Sequence, residues 1–220
     1  MTDARRKRVG VMISGRGSNL QALLDACADP AYPAKIVIVI SNEPEAYGLA
    51  RAEKAGVPTR TLRHRDYATR EAFDAAVTAV LEEAGVDLVC MAGFMRLVTE
   101  GFVARWTDRL INIHPSLLPS FRGLDTHARA LAAGAKLHGC TVHFVRFEVD
   151  HGPIIGQAAV PVLPGDTEAS LAARVLEAEH RLYPHCLRLV AEGRVRVAGE
   201  VAEITDPNAN PGARLINPAP

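Results

Sequence analysis

A chain of 220 residues with 48% hydrophobic content is long enough to bury a substantial core and sits within the range of one large α/β domain. Its 25 basic residues balance 25 acidic ones, so no overall field recruits nucleic acid or an anionic membrane surface, and neither is expected as a partner. There is no secretory signal, no apolar run long enough to span a bilayer and no CxxC pair among Cys27, Cys90, Cys140 and Cys186, which makes a reducing, cytoplasmic setting the expectation and argues against a disulfide scaffold or zinc knuckle.

The first half alternates strand and helix signals. The strand "RVGVMIS" runs into the glycine-rich turn "ISGRGSN" at Ile13 to Asn19, which opens the helix "SNLQALLDACA". Backbone N–H groups at a helix start make an anion site, and Gly15 and Gly17 permit a tight turn there. The turn lacks the third glycine of a dinucleotide fingerprint and the Lys-Ser/Thr of a P-loop, so it suits a single phosphate better than a pyrophosphate. An ordinary glycine turn with Ser18 as N-cap fits the same residues. The strand "KIVIVIS", the helix "AYGLARAEKAG", a short strand near "TRTL", the helix "TREAFDAAVTAVLEEAG" and the strand "DLVCMAG" follow. Continuous apolar strands separated by amphipathic helices predict a doubly wound, mostly parallel sheet with helices on both faces. In such sheets ligands lie beyond the carboxyl ends of the strands, so "MAGFMRLV", leaving the strand through Gly93, is expected to share a crevice with "GRGSN". Phe94, Met95 and Leu97 serve equally well as core or as the apolar wall of a pocket.

The segment "INIHPSLLPSFRG", Ile111 to Gly123, is the most unusual. Strand side chains alternate, so Asn112 and His114 share one face while Ile111 and Ile113 take the other. Pro115 removes a donor and ends the ladder, and the polar pair is expected to be presented rather than buried. Two longer strands, "LHGCTVHFV" and "PIIGQAAVPV", are joined by "RFEVDHG" with no crossover helix between them, which predicts antiparallel strands in the C-terminal half. Asp150 falls in that connection, where it is either a solvated turn residue or a carboxylate that favours the imidazolium form of His114. His114, His138, His143 and His151 match no familiar zinc spacing, and no metal is expected. A long helix over Thr167 to Glu192, with a kink expected at Pro184, carries an inward stripe of Leu171, Val175, Leu182 and Cys186. Glu179 lies on that stripe, so it needs a partner or a ligand, or it snorkels towards a basic neighbour such as Arg174. Residues 1–207 read as one domain and 208–220 as a poorly ordered tail.

Taken together, "GRGSN", "SNEPEAYGLARAEKAGV", "AGFMRL", "NIHPSLLPSFRG", "HGCTVHFV", "DHGPII" and "EHRLYP", in order from about Val9 to Glu192, closely resemble the phosphoribosylglycinamide formyltransferase family of folate-dependent enzymes. "NIHPSLLP" with a downstream "DxGPI" marks formyltetrahydrofolate-using enzymes in general, and the remaining motifs select the member. The chain is too short for the extra C-terminal domain of methionyl-tRNA formyltransferases, and its first strand starts too early for the N-terminal regulatory domain of formyltetrahydrofolate hydrolases. The resemblance implies transfer of a formyl group from 10-formyltetrahydrofolate, as co-substrate and without a metal, to the amine of glycinamide ribonucleotide by a monomer or homodimer. It implies Asn112, His114 and Asp150 as catalytic residues. Gly17, Ser18 and Asn19 would serve the ribonucleotide phosphate and Glu179 its ribose. Arg70, Met95, Arg96, Leu97, Val98, Arg146, Phe147, Glu148 and Val149, with Asn112, would line the folate site. Some family members carry Gln where this chain has Leu176, three residues before Glu179. A formyl-donor hydrolase and a formyl-folate binding module without turnover are the competing readings.

Overall fold

The computed structural model describes residues 6–205, so the expected tail at 208–220 lies outside the described residues. Five strands, β1 (Lys7–Ile13), β2 (Ala34–Ser41), β3 (Thr59–Thr61), β4 (Leu88–Met91) and β5 (Leu110–His114), run parallel in one sheet. Two more, β6 (Leu137–Phe144) and β7 (Ile154–Pro161), join it antiparallel, giving the order β3-β2-β1-β4-β5-β6-β7. The chain steps from β1 outward to β2 and then returns to the other side of β1 with β4, so the topological switch lies between β1 and β4. That is where a doubly wound sheet opens a crevice at its carboxyl edge.

The predicted helices form with boundaries close to those expected: α1 (Ser18–Ala28), α2 (Tyr47–Lys54) and α3 (Arg70–Glu83). Two short helices, α4 (Glu100–Arg105) and α5 (Thr126–Ala132), were not anticipated, because six or seven residues are too few for a 3.6-residue period to register. The last helix, α6 (Glu168–Ala191), starts at a Thr167/Ser170 capping box and runs uninterrupted through Pro184. A small hairpin, β8 (Val195–Ala198) and β9 (Val201–Ile204), follows and was also missed. Among the described residues no helix is long and apolar enough to cross a membrane.

Strand alternation divides the core between the two sheet faces. Val9, Val11 and Ile13 of β1 pack with Leu20 and Leu23 of α1 and with Tyr183 and Leu187 of α6. Met12 and Ile40 face the other way, against Phe73, Val77 and Leu81 of α3 and Phe102 and Trp106 near α4. Each fully buried side chain of this kind contributes about 1.5–3 kcal/mol of transfer free energy. On β5, Ile111 and Ile113 join the first cluster and Leu110 the second. Asn112 and His114, alternating with Ile111 and Ile113, therefore lie on the α3/α4 side of the sheet.

Candidate active site

The end of β5 is the centre of the site. The ladder stops at His114, as the following proline requires, but His114 is only 6% exposed, so the expectation of a presented rather than buried pair is corrected for the histidine, while Asn112 is half-buried. What buries the imidazole is the chain that follows: the Phe121 carbonyl lies 3.1 Å from His114 Nε2. On the other side of the ring, Nδ1 is 3.2 Å from Asp150 Oδ1. Both neighbours are oxygen acceptors, and only the doubly protonated imidazolium donates to both at once.

Asp150 reaches that position by an unexpected route. Because β6 is antiparallel to β5, with Ile111 opposite Phe144 and His114 opposite Thr141, the exit of β6 is level with the start of β5. The 145–153 connection must fold back along the polar face to meet His114. Asp150 adopts a left-handed φ of 49°, and Gly152 a φ of 129°; a Cβ on Gly152 would stand 2.1 Å from the Phe144 carbonyl oxygen, which leaves no room for any other residue. The Asp150 side chain is 12% exposed, and its second oxygen, Oδ2, accepts from the Gly123 N–H at 2.7 Å. The solvated-turn reading of Asp150 is thereby set aside.

Asn112 is half-buried, and its Nδ2 lies 3.4 Å from Nε2 of His143, the residue directly opposite it on β6. His143 was singled out from sequence only as part of a possible histidine metal cluster. Among the described residues no group of three or more His, Cys, Asp or Glu side chains is placed to hold a metal ion. His138 instead packs edge-on against Phe121 and His127, with ring centroids 5.9 and 5.2 Å away.

The glycine-rich turn and the loop after β4 are laced together across the switch point. Ser14 N–H donates to the Gly93 carbonyl, Met95 N–H donates to Ser14 Oγ, and Ser14 Oγ donates to Asn42 Oδ1. Gly17, not Ser18, is the N-cap of α1, at φ 68°, with no side-chain cap. The first helical bond runs from Gln21 N–H to the Gly17 carbonyl, so the N–H groups of Ser18, Asn19 and Leu20 precede the ladder. Gly17 also has a packing reason: an added Cβ would lie 2.6 Å from Gly48 Cα at the start of α2. The Asn19 side chain turns inward, and its Nδ2 donates to Glu179 Oε2 at 2.7 Å. Glu179 is 6% exposed, and burial holds its carboxyl above the usual range, with the Asn19 bond opposing that shift. Arg174 is paired with Asp166 rather than with Glu179, so the snorkelling alternative is removed.

The candidate folate residues divide. Met95 and Leu97 are largely exposed, while Arg96 lies over the Phe73 ring at 5.0 Å and Val98 is buried in the core. Arg70 Nη2 donates to the Leu97 carbonyl, which ties the start of α3 to this loop. Phe147 and Val149 are exposed apolar side chains beside exposed Glu148, and Arg146 is held by Asp108 at 2.9 Å and by Glu200 at 3.7 Å. Glu200, at the tip of the unpredicted hairpin, joins Leu118, Arg122 and Asp150 around a small cavity. No sequence motif marks it.

Comparison with known proteins places this arrangement in a family context. The formyl transferase family model matches residues 7–187. The chain is 52% identical over 204 residues to the trifunctional purine biosynthetic protein adenosine-3 of Bos taurus, which covers 92% of this chain but only 20% of the length of that relative. It is 42% identical to the phosphoribosylglycinamide formyltransferase of Haemophilus influenzae, over 96% of this chain and 99% of that one. The crystal structure of glycinamide ribonucleotide transformylase 1 from Symbiobacterium toebii superposes with a TM-score of 0.89 at 51% identity, covering 91% of this chain and 95% of that chain.

Proposed function

This chain belongs to the formyl transferase family, and from that premise we propose that it transfers the formyl group of 10-formyltetrahydrofolate to the primary amine of glycinamide ribonucleotide. The observation that carries the reading is the His114 ring, held between Asp150 Oδ1 and the Phe121 carbonyl on the same strand face as Asn112. Attack of the amine nitrogen on the formyl carbon makes a C–N bond and an oxyanion. Collapse breaks the bond to folate N10, and the proton released by the amine goes to that nitrogen. Asn112 Nδ2–H and the His114 Nε2–H now directed at Phe121 are the donors that meet the oxyanion, and Asp150 stabilises the imidazolium.

The ribonucleotide is proposed to lie along the α1 start, its phosphate on the N–H groups of the Gly17–Asn19 turn. Asn19 Oδ1 is buried without a partner beside the Glu179 carboxyl, an acceptor pair suited to the hydroxyl groups of a ribose. Exposed Met95, Leu97, Phe147 and Val149 supply apolar surface for the donor's flat ring system. The proton-handling set at Asn112, His114 and Asp150 favours turnover over a binding module. The test is consumption of the formyl donor with and without glycinamide ribonucleotide. Rapid consumption only with the amine supports the proposal, and equal consumption without it makes the protein a hydrolase.

A further inference from the structure

The structure assigns to His143 the role of positioning Asn112 for formyl transfer, an inference that rests on the functional reading above. An asparagine amide has two orientations related by a half-turn, and only one of them directs an N–H at a developing oxyanion while the other directs a carbonyl oxygen. Something must choose between them. His143 and Asn112 are directly opposed on antiparallel strands, a relation that brings side chains on one face into contact. The His143 ring is 1% exposed, and its Nδ1 lies 2.9 Å from the Phe144 carbonyl. That acceptor requires the proton on Nδ1, which leaves the Nε2 lone pair facing Asn112 at 3.4 Å. The amide must present Nδ2–H to this lone pair. Its Oδ1 is then excluded from the His143 side, and its second N–H is free to face the substrate. Burial pushes the His143 ring down to about 4, against the Phe144 carbonyl and the Asp150 charge, so the imidazole is neutral near pH 7 and its Nε2 remains an acceptor. The strand register against β7 shifts between Val142 and His143, an irregularity of the kind that re-aims a side chain beside a site.

His143→Gln and His143→Leu test this. Glutamine keeps an acceptor oxygen within reach of the Asn112 amide, and leucine keeps volume but has no acceptor. Leucine is expected to lower kcat for formyl transfer by about 100-fold, the scale of a misplaced catalytic group, with the KM of donor and ribonucleotide nearly unchanged. Glutamine is expected to recover most of that loss. Independently of substrate, ¹⁵N NMR of the wild-type protein is expected to show His143 as the neutral Nδ1–H tautomer. Equal losses in both variants, a loss confined to KM, or an Nε2–H tautomer would overturn the assignment. If the leucine variant does not fold, the glutamine kcat and the tautomer decide. A wild-type protein that does not formylate the ribonucleotide would overturn the functional reading, while the tautomer would still judge the Asn112 contact.

Discussion

Replacing Asp150 with asparagine preserves shape and removes one charge and one acceptor. In the wild-type protein both carboxylate oxygens are used, Oδ1 by the His114 ring at 3.2 Å and Oδ2 by the Gly123 N–H at 2.7 Å. An asparagine has one acceptor oxygen, so either His114 or Gly123 must face an NH2 group, at a cost of about 1–3 kcal/mol for a buried donor left unsatisfied. The lost charge adds to this. Two unit charges 3.2 Å apart attract by about 5 kcal/mol at an effective dielectric constant of ~20. An amide dipole retains part of that attraction, so the transition state should lose on the order of 3 kcal/mol, or about a hundredfold in rate. Single-turnover formyl transfer should show this loss while the affinities for both substrates change little. A cycle with His114→Ala gives the sharper reading, because a carboxylate that acts through His114 should cost little more once the ring is gone. A near-normal rate in Asp150→Asn, or a loss that adds in full to that of His114→Ala, would refute the partnership.

Gly17→Ala should lower the melting temperature, since alanine at φ 68° costs about 1–2 kcal/mol and its Cβ meets Gly48. A rise in ribonucleotide KM at unchanged melting temperature would instead make the turn purely a ligand site. Glu179→Gln should raise the ribonucleotide KM and stabilise the free protein at neutral pH. The carboxyl is held above its ordinary value in the folded chain, so the native state binds more protons than the unfolded one, and wild-type stability falls as pH rises from about 4.5 through the raised folded value. Glutamine lacks this penalty, so its melting-temperature advantage should be present near pH 7.5 and vanish below pH 4.5; an advantage independent of pH would rule out carboxyl desolvation as its source.

Much of the scaffold is legible in the chain because its periodicities are strong and local. The apolar runs of β1, β2 and β4 and the amphipathic α1 and α3 dictate a covered parallel sheet, and "GRGSN" and "INIH" stand at strand ends whatever the topology. Strand alternation pairs Asn112 with His114, and Asp150 stands in the sequence as a possible partner of that histidine beside a plain turn reading, while the catalytic roles of the three rest on family resemblance. Alternation places Asn112 and His114 on one face, but nothing local states that β6 pairs antiparallel in the register that puts His143 opposite Asn112. Nor does it state that the 145–153 connection folds back, or that residues 115–123 close over the imidazole and bury it. The partnership of Asn19 with Glu179 spans 160 positions, and the approach of Glu200 to Arg146 spans 54. Such contacts depend on strand order and register, which are set by how whole elements pack, whereas periodicity and turn chemistry report only on neighbours along the chain.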